Sequence, residues 1–226
     1  MSDVRAVILD LDGTLLDSND AHAQAFVEAA HAMGLNIDFE SIRRLIGMGG
    51  DKLIPRAFGF SSDSEPGQKL GATKTRIFME RHLTQLEPTP GARALLLRLR
   101  DEGMRRLLAT SSGESTMQRL LAQADIEDLI EDTISSSDVR ASKPDPDIVE
   151  SALDKTGAAP EQVVMLGDTP YDVESATRAG IAIIALRTGG WTDPELHGAA
   201  AIYDDPADLL EHFGTSPLGG RAKPTL

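Results

Sequence analysis

The chain has 226 residues, 36 of them acidic against 22 Lys and Arg, for a net charge of −14, and no cysteine. Without cysteine there are no disulfides, thiolate nucleophiles or Cys-based zinc sites, and the reducing cytoplasm is the expected location. The acidic balance and an aromatic content of 4% exclude a phosphate-tracking or base-stacking nucleic-acid binder, and no apolar run is long enough to span a membrane.

Residues 4–9 (VRAVIL) form a short apolar run that predicts a strand, too brief and too acid-flanked for a signal peptide. From residue 17 to 86 the pattern turns helical. Residues 21–33 place Phe26, Ala29, Ala30 and Met33 on one stripe, and 41–46 and 69–82 also read as helix. Residues 47–50 (GMGG) and 58–67 (FGFSSDSEPG) read as loops. After Pro88, Pro90 and Gly91 the chain alternates: strand 105–108, helix 114–124, strand 163–166, helix 171–179, strand 181–186. Continuous rather than alternating apolar runs indicate strands covered on both faces. The expected fold class is α/β: a Rossmann-like doubly wound parallel sheet core (1–16 and 87–214) with an inserted all-helical cap (17–86). Residues 215–226 have the composition of a flexible tail.

Four short segments carry chemistry. Asp10-Leu11-Asp12-Gly13-Thr14 follows the first strand, so two carboxylates can reach one ligand at the strand's carboxyl end; the alternative is a hairpin at Asp12-Gly13. Thr110-Ser111-Ser112-Gly113 closes another strand and suits an oxyanion or phosphate, although each hydroxyl could simply cap the next helix. Lys143, before Pro144, sits in a non-helical segment ahead of a helix; a lone loop lysine is ordinarily solvated. In Gly167-Asp168-Thr169-Pro170-Tyr171-Asp172, Asp168 ends a strand. Asp172 falls at N3 of a helix capped by Thr169, where it could instead close a capping box.

If the strand ends converge, Asp10, Asp12, Asp168 and Asp172 crowd one crevice beside Lys143. Such carboxylates cannot all stay ionised without compensation, and a hard divalent cation such as Mg²⁺ supplies it. Cation and lysine would then hold a phosphoryl group, one carboxylate attacking phosphorus and another exchanging protons with the leaving oxygen and water.

In that order DLDGT, Thr110, Lys143-Pro144 and GDTPYD resemble the haloacid dehalogenase superfamily of phosphohydrolases, in its helical-cap subgroup. The resemblance implies Asp10 as nucleophile and Asp12 as general acid/base. It implies Thr110 and Lys143 as holders of the phosphoryl group, with Ser111 beside them. Mg²⁺ would be bound by the Asp10 carboxylate, the Asp12 backbone carbonyl and Asp168, with Asp172 a ligand or next to one.

Asp12 speaks against the dehalogenases that named the superfamily, which lack an acid there. The sugar phosphomutases of the same cap type share His22, but they grip a second phosphate with an arginine whose place here falls at Gly50; Lys52 or Arg43 could substitute. Gly167 before Asp168 fits phosphoglycolate-type phosphatases better. The reading is therefore a phosphatase acting on a small phosphorylated metabolite, with a phosphomutase or a silent phosphate-binding module as alternatives. Substrate choice would lie with the cap, where His22, Arg43, Arg44, Lys52 and residues 47–50 are the polar candidates, each equally readable as ordinary surface. The oligomeric state is not legible.

Overall fold

In the computed structural model, which describes residues 4–219, the apolar runs form one sheet. Its strands are β1 (Ala6–Leu9), β2 (Arg105–Ala109), β3 (Asp132–Ile134), β4 (Val163–Gly167), β5 (Ala182–Leu186) and β6 (Ala201–Tyr203). The order is β3-β2-β1-β4-β5-β6, and each neighbouring pair is parallel. The chain thus builds outward from β1 on one side and then on the other. The order reverses beside β1, which is where an open α/β sheet leaves a crevice at the strands' carboxyl ends.

The strand period of two divides the core. Val7 and Leu9 face one side with Leu108, Val164, Leu166 and Ile184, and Ala6 and Ile8 face the other with Leu107, Met165 and Ile183. Between β1 and β2 lie α1 (Asn19–Ala32), α2 (Phe39–Arg43), α3 (Gly50–Phe58), α4 (Glu65–Ile77) and α5 (Ala92–Asp101). The others are α6 (Glu114–Gln123), α7 (Asp147–Thr156), α8 (Pro170–Arg178) and α9 (Pro206–Glu211). Leu95, Leu96 and Leu99 of α5, Leu120 of α6 and Leu209 of α9 cover the first face. Ile148, Val149 and Ala152 of α7 with Val173 and Ala176 of α8 cover the second. With both faces covered, the sheet is doubly wound.

Several elements differ from the sequence reading. The Gly47–Gly50 loop ends one residue early, because Gly50 opens α3; a helix holding Gly50 and Pro55 carries poor helix formers and does not announce itself. The loop read over 58–67 ends at Ser64, whose side chain accepts from the backbone N–H of Gly67 and caps α4. At its other end α4 widens into a π-helical turn, Phe78–His82. Edge strands β3 and β6 have three residues each, too short a run to stand out. The expected flexible tail starts too soon. Leu218 is buried in the core and Ser216 Oγ donates to the Phe213 carbonyl at 2.8 Å, so the chain is held through Gly219. The remainder of that tail, 220–226, lies outside the described residues.

Ile184 sits in β5 with no exposed surface. Ile184→Ala is expected to lower stability by about 2–5 kcal/mol, seen as a lower urea midpoint at unchanged slope. A loss below about 1 kcal/mol would contradict a closed, well-packed sheet face.

Candidate active site

Asp10 leaves β1 at the carboxyl edge of the sheet and is buried. The chain then turns back on itself through Gly13, at φ 76°, where a Cβ would run into Asn19 and Asp168. Because β1 pairs in parallel with β2 and β4, the turn closes a local loop, Gly13 N–H donating to the Leu16 carbonyl at 2.7 Å, and no hairpin forms. Asp168 leaves the neighbouring strand β4 at the same edge. It accepts from Thr14 Oγ1 at 2.8 Å and from Asn19 Nδ2 at 2.7 Å.

Asp172 takes both roles open to it. Its Oδ2 accepts from Thr169 N–H (3.0 Å) and Thr169 Oγ1 (2.7 Å), completing the capping box of α8. Its Oδ1 lies 2.7 Å from Lys143 Nζ. Lys143 is fully buried, not solvated, and its Nζ is also 2.7 Å from Asp10 Oδ1. Both contacts are close, buried ion pairs. Asp10, Asp168 and Asp172 each offer an oxygen within 4.8 Å of the other two.

Asp12 is turned away from this cluster. Ser18 Oγ donates to its Oδ1 at 2.6 Å, His22 Nε2 lies 2.8 Å from the same oxygen, and Ser112 Oγ donates to Oδ2 at 2.9 Å. The Asp12 carboxylate is not among the oxygens that gather around Lys143. Thr110 is buried at the end of β2, its Oγ1 accepting from Ser112 N–H at 3.1 Å. Ser111, expected at a phosphoryl group, lines the same cavity as Thr110, and its hydroxyl donates to the Gly47 carbonyl at 3.2 Å, tying β2 to the helical segment.

A cavity of about 200 Å³ opens above these residues. Its floor includes Asp10, Asp12 and Thr110, and its roof Phe26, Ile54 and Lys74 from the helices. His22, one of the polar candidates of the helical segment, is buried between Asp12 and the roof: its ring stacks on Phe78 at 4.0 Å and its Nδ1 lies 2.8 Å from Lys74 Nζ. Nothing in the sequence singles out Ser18 or Asn19, or Ser112 over Ser111, and Thr14 figures there only as the end of the DLDGT motif. Lys74 carries no local signal at all.

The electrostatics follow from burial. It pushes Asp10 up to about 7 against the pull of Lys143, with Asp172 adding to the rise. Burial likewise holds Asp168 well above the carboxylate range, reinforced by Asp172 and Asp10. Lys143 is opposed by burial yet raised by Asp10 and Asp172, so it stays an ammonium. Burial and the Lys74 charge lower His22, leaving the imidazole neutral near pH 7. Burial also opposes ionisation of Asp12, but His22, Ser18 and Ser112 outweigh it and keep the group a carboxylate. With His22 neutral, its contribution is a hydrogen bond more than a full charge.

Three carboxylates facing one ammonium leave uncompensated negative charge, which adds to burial in keeping two of them from ionising. Asn19 Oδ1, on the amide that holds Asp168, is a further buried oxygen without a hydrogen-bond partner. An all-oxygen, anionic, buried donor set fits a hard divalent cation.

Residues 7–186 match the model of the haloacid dehalogenase-like hydrolases. The chain belongs to that family. It is 32% identical to phosphoglycolate phosphatase of Rhodospirillum rubrum over 96% of this chain and 93% of the relative. It is 30% identical to phosphoglycolate phosphatase of Vibrio cholerae over 95% of this chain and 96% of the relative. Among solved structures, a hydrolase from Pseudomonas syringae superposes with a TM-score of 0.87 at 31% identity, covering 93% of this chain and 98% of that one. The family is the one that the DLDGT and GDTPYD motifs resemble.

Because folded Asp10 keeps its proton up to about pH 7 while an unfolded Asp loses it near 3.9, the metal-free protein binds more protons folded than unfolded in that window. The stability that Asp10 contributes therefore falls as pH rises from about 4 to 7. A divalent cation competes with those protons. Added Mg²⁺ is expected to raise the melting temperature little at pH 5 and markedly at pH 8, with proton release on binding at pH 6. A Mg²⁺ effect that is equal at the two pH values would contradict the cluster as the binding site.

Proposed function

We propose that the chain is a Mg²⁺-dependent phosphatase that hydrolyses a small phosphorylated metabolite through a phosphoaspartyl intermediate on Asp10, in the cytoplasm. The observation that carries this reading is the buried meeting of Asp10, Asp168 and Asp172, with Lys143 paired to Asp10 and Asp172, where Asp10 and Asp12 open onto one cavity.

Asp10 attacks phosphorus as the ester P–O bond breaks, and the departing oxygen takes a proton from Asp12. Asp12 recovers that proton from the water that then attacks the phosphoaspartate, releasing inorganic phosphate and free Asp10. Before substrate enters, Asp12 is held ionised by Ser18, His22 and Ser112, so it takes up a proton from the monoprotonated phosphoester as the entering substrate loosens those bonds, and passes the proton it later recovers from water to the departing inorganic phosphate. Lys143 and Thr110 hold the phosphoryl oxygens, and Lys143 offsets the charge that builds on them. Mg²⁺ carried by Asp10, Asp168 and Asp172, with the Asp12 carbonyl, would screen the phosphoryl oxygens from the attacking carboxylate. The helical segment 17–86 acts as a cap that excludes water from the cavity.

Phosphatase is favoured over phosphomutase by the cap's own cations. Gly50 stands where a phosphate-gripping arginine would be needed, and neither substitute turns inward: Arg43 pairs with Asp20 at 2.6 Å and donates to the Gly189 carbonyl, while Lys52 pairs with Asp145.

Phosphate release from 4-nitrophenyl phosphate is expected to stop on addition of EDTA and to fall by roughly a thousandfold or more in Asp10→Asn. Turnover that survives Asp10→Asn would overturn the assignment of the nucleophile.

A further inference from the structure

Residues 47–51 of the helical segment rest on two core residues that adjoin the central ion pair. Gly49 has φ −74° and ψ 165°, a backbone that any residue adopts, yet a Cβ there would strike the side chain of Ser142. On the other flank a Cβ at Gly47 would strike Thr169. Ser142 immediately precedes Lys143, and Thr169 is the residue whose N–H and hydroxyl hold Asp172. Asp51 turns this close approach into a grip. An exposed acid in the first turn of a helix ordinarily does no more than complement the helix dipole. Here both carboxylate oxygens go to Ser142, its hydroxyl donating to Oδ1 and its N–H to Oδ2 at 3.3 Å, while Gly49 N–H donates to that hydroxyl at 3.0 Å. Ser142 is itself buried. The next residue of the helix, Lys52, pairs with Asp145. Lys143 is thus bracketed, because the start of α3 holds the residue before it and the second residue after it.

We propose that Asp51 is a positioning residue: by holding Ser142 it fixes the backbone from which Lys143 reaches Asp10, and so ties the setting of Lys143 to the seating of the helical segment on the sheet. This rests on the phosphatase reading, in which Lys143 holds the phosphoryl oxygens. The Lys143 ammonium is a point charge at the end of a flexible four-carbon stem. Asp10 and Asp172, each 2.7 Å from Nζ, settle the tip of that stem, and the grip on Ser142 settles its root. A misplacement of about 1 Å at a group that neutralises charge in the transition state can cost about a hundredfold in rate. Gly49 and Gly50 line the cavity over Asp10 and Asp51 does not, so Asp51 acts through Ser142 and Lys143 and not on the substrate.

The test measures kcat and KM for 4-nitrophenyl phosphate, with the melting temperature, in Asp51→Ala, Ser142→Ala, the double variant and Arg44→Ala. Arg44 fastens the helical segment at another place, pairing with Glu195 at 3.1 Å and lying over the Trp191 ring at 4.6 Å. Asp51→Ala is expected to lower kcat by roughly tenfold while KM stays within about threefold, the signature of an interaction that matters in the transition state. Ser142→Ala is expected to do the same, and the double variant to fall no further than Asp51→Ala alone, since both substitutions break one contact. Arg44→Ala loosens the seat without touching Ser142, so its kcat is expected to stay within about twofold. A merely structural Asp51 would lower the melting temperature and leave kcat per folded molecule unchanged. If Asp51→Ala does not fold, Gly49→Ala decides, because its Cβ displaces Ser142 while Asp51 remains, and the same loss of kcat is expected. Unchanged kcat in the variant that folds, additive losses in the double variant, or a loss that Arg44→Ala reproduces in full would overturn the proposal and leave the phosphatase reading standing. A wild-type protein that releases no phosphate from 4-nitrophenyl phosphate would remove both.

Discussion

One buried ammonium makes the site possible. Lys143 has no contact with water and lies 2.7 Å from both Asp10 and Asp172. Desolvating carboxylates is expensive unless they are paired, and removing one member of a buried pair costs about 3–5 kcal/mol because the other charge is stranded. Lys143 therefore fixes where Asp10 points and ties the edge of β1 to the start of α8. Burial raises the affinity of Asp10 and Asp168 for protons, and the imbalance of three carboxylates against a single cation adds to it. The same imbalance would favour a divalent ion and, with it, a phosphoryl group.

The sheet supplies the other constraint. Register pairs Leu9 with Leu108 on one side and with Leu166 on the other, so Asp10, Thr110 and Asp168 leave three adjacent strands at nearly one level. Close approach is then enforced by missing side chains: a Cβ at Gly13 or Gly189 would strike Asp168. Hydrogen bonds from Thr14 and Asn19 settle the orientation of the Asp168 carboxylate. Above the sheet, Gly49 N–H donates to Ser142 Oγ at 3.0 Å, and Ser111 reaches the Gly47 carbonyl, so the helical segment is moored on both sides of the cavity. Ser142 immediately precedes Lys143, which places one of those moorings next to the central charge.

How far a sequence discloses such a site depends on whether a residue's role is local. The parallel sheet was legible because fully covered strands read as unbroken apolar runs, and the strand-end positions of Asp10 and Asp168 followed from it. Asp172 was left open between cap and site because it serves both, one oxygen to each. Ser111 and Ser112 are equivalent in sequence, and only the turn after Thr110 decides that Ser112 faces Asp12 while Ser111 faces Gly47. His22 and Lys74 are 52 positions apart and meet only through the packing of α1 against α4, with Phe78 stacked on the imidazole. No period or motif encodes that meeting. The helix α3 was hidden for a different reason, since Gly50 and Pro55 give it low propensity and its Leu53 and Ile54 are held by burial instead.

The account turns on whether these separated side chains cradle an ion and a phosphoryl group around Asp10. A crystal structure grown with Mg²⁺ and trifluoroberyllate, which mimics a phosphoryl group bonded to a carboxylate, tests it most directly. The expected result is beryllium attached to an Asp10 oxygen, with Lys143 and Thr110 on its fluorides and the metal ligated by Asp168. An analogue seated away from Asp10, or a metal that leaves Asp168 untouched, would contradict it.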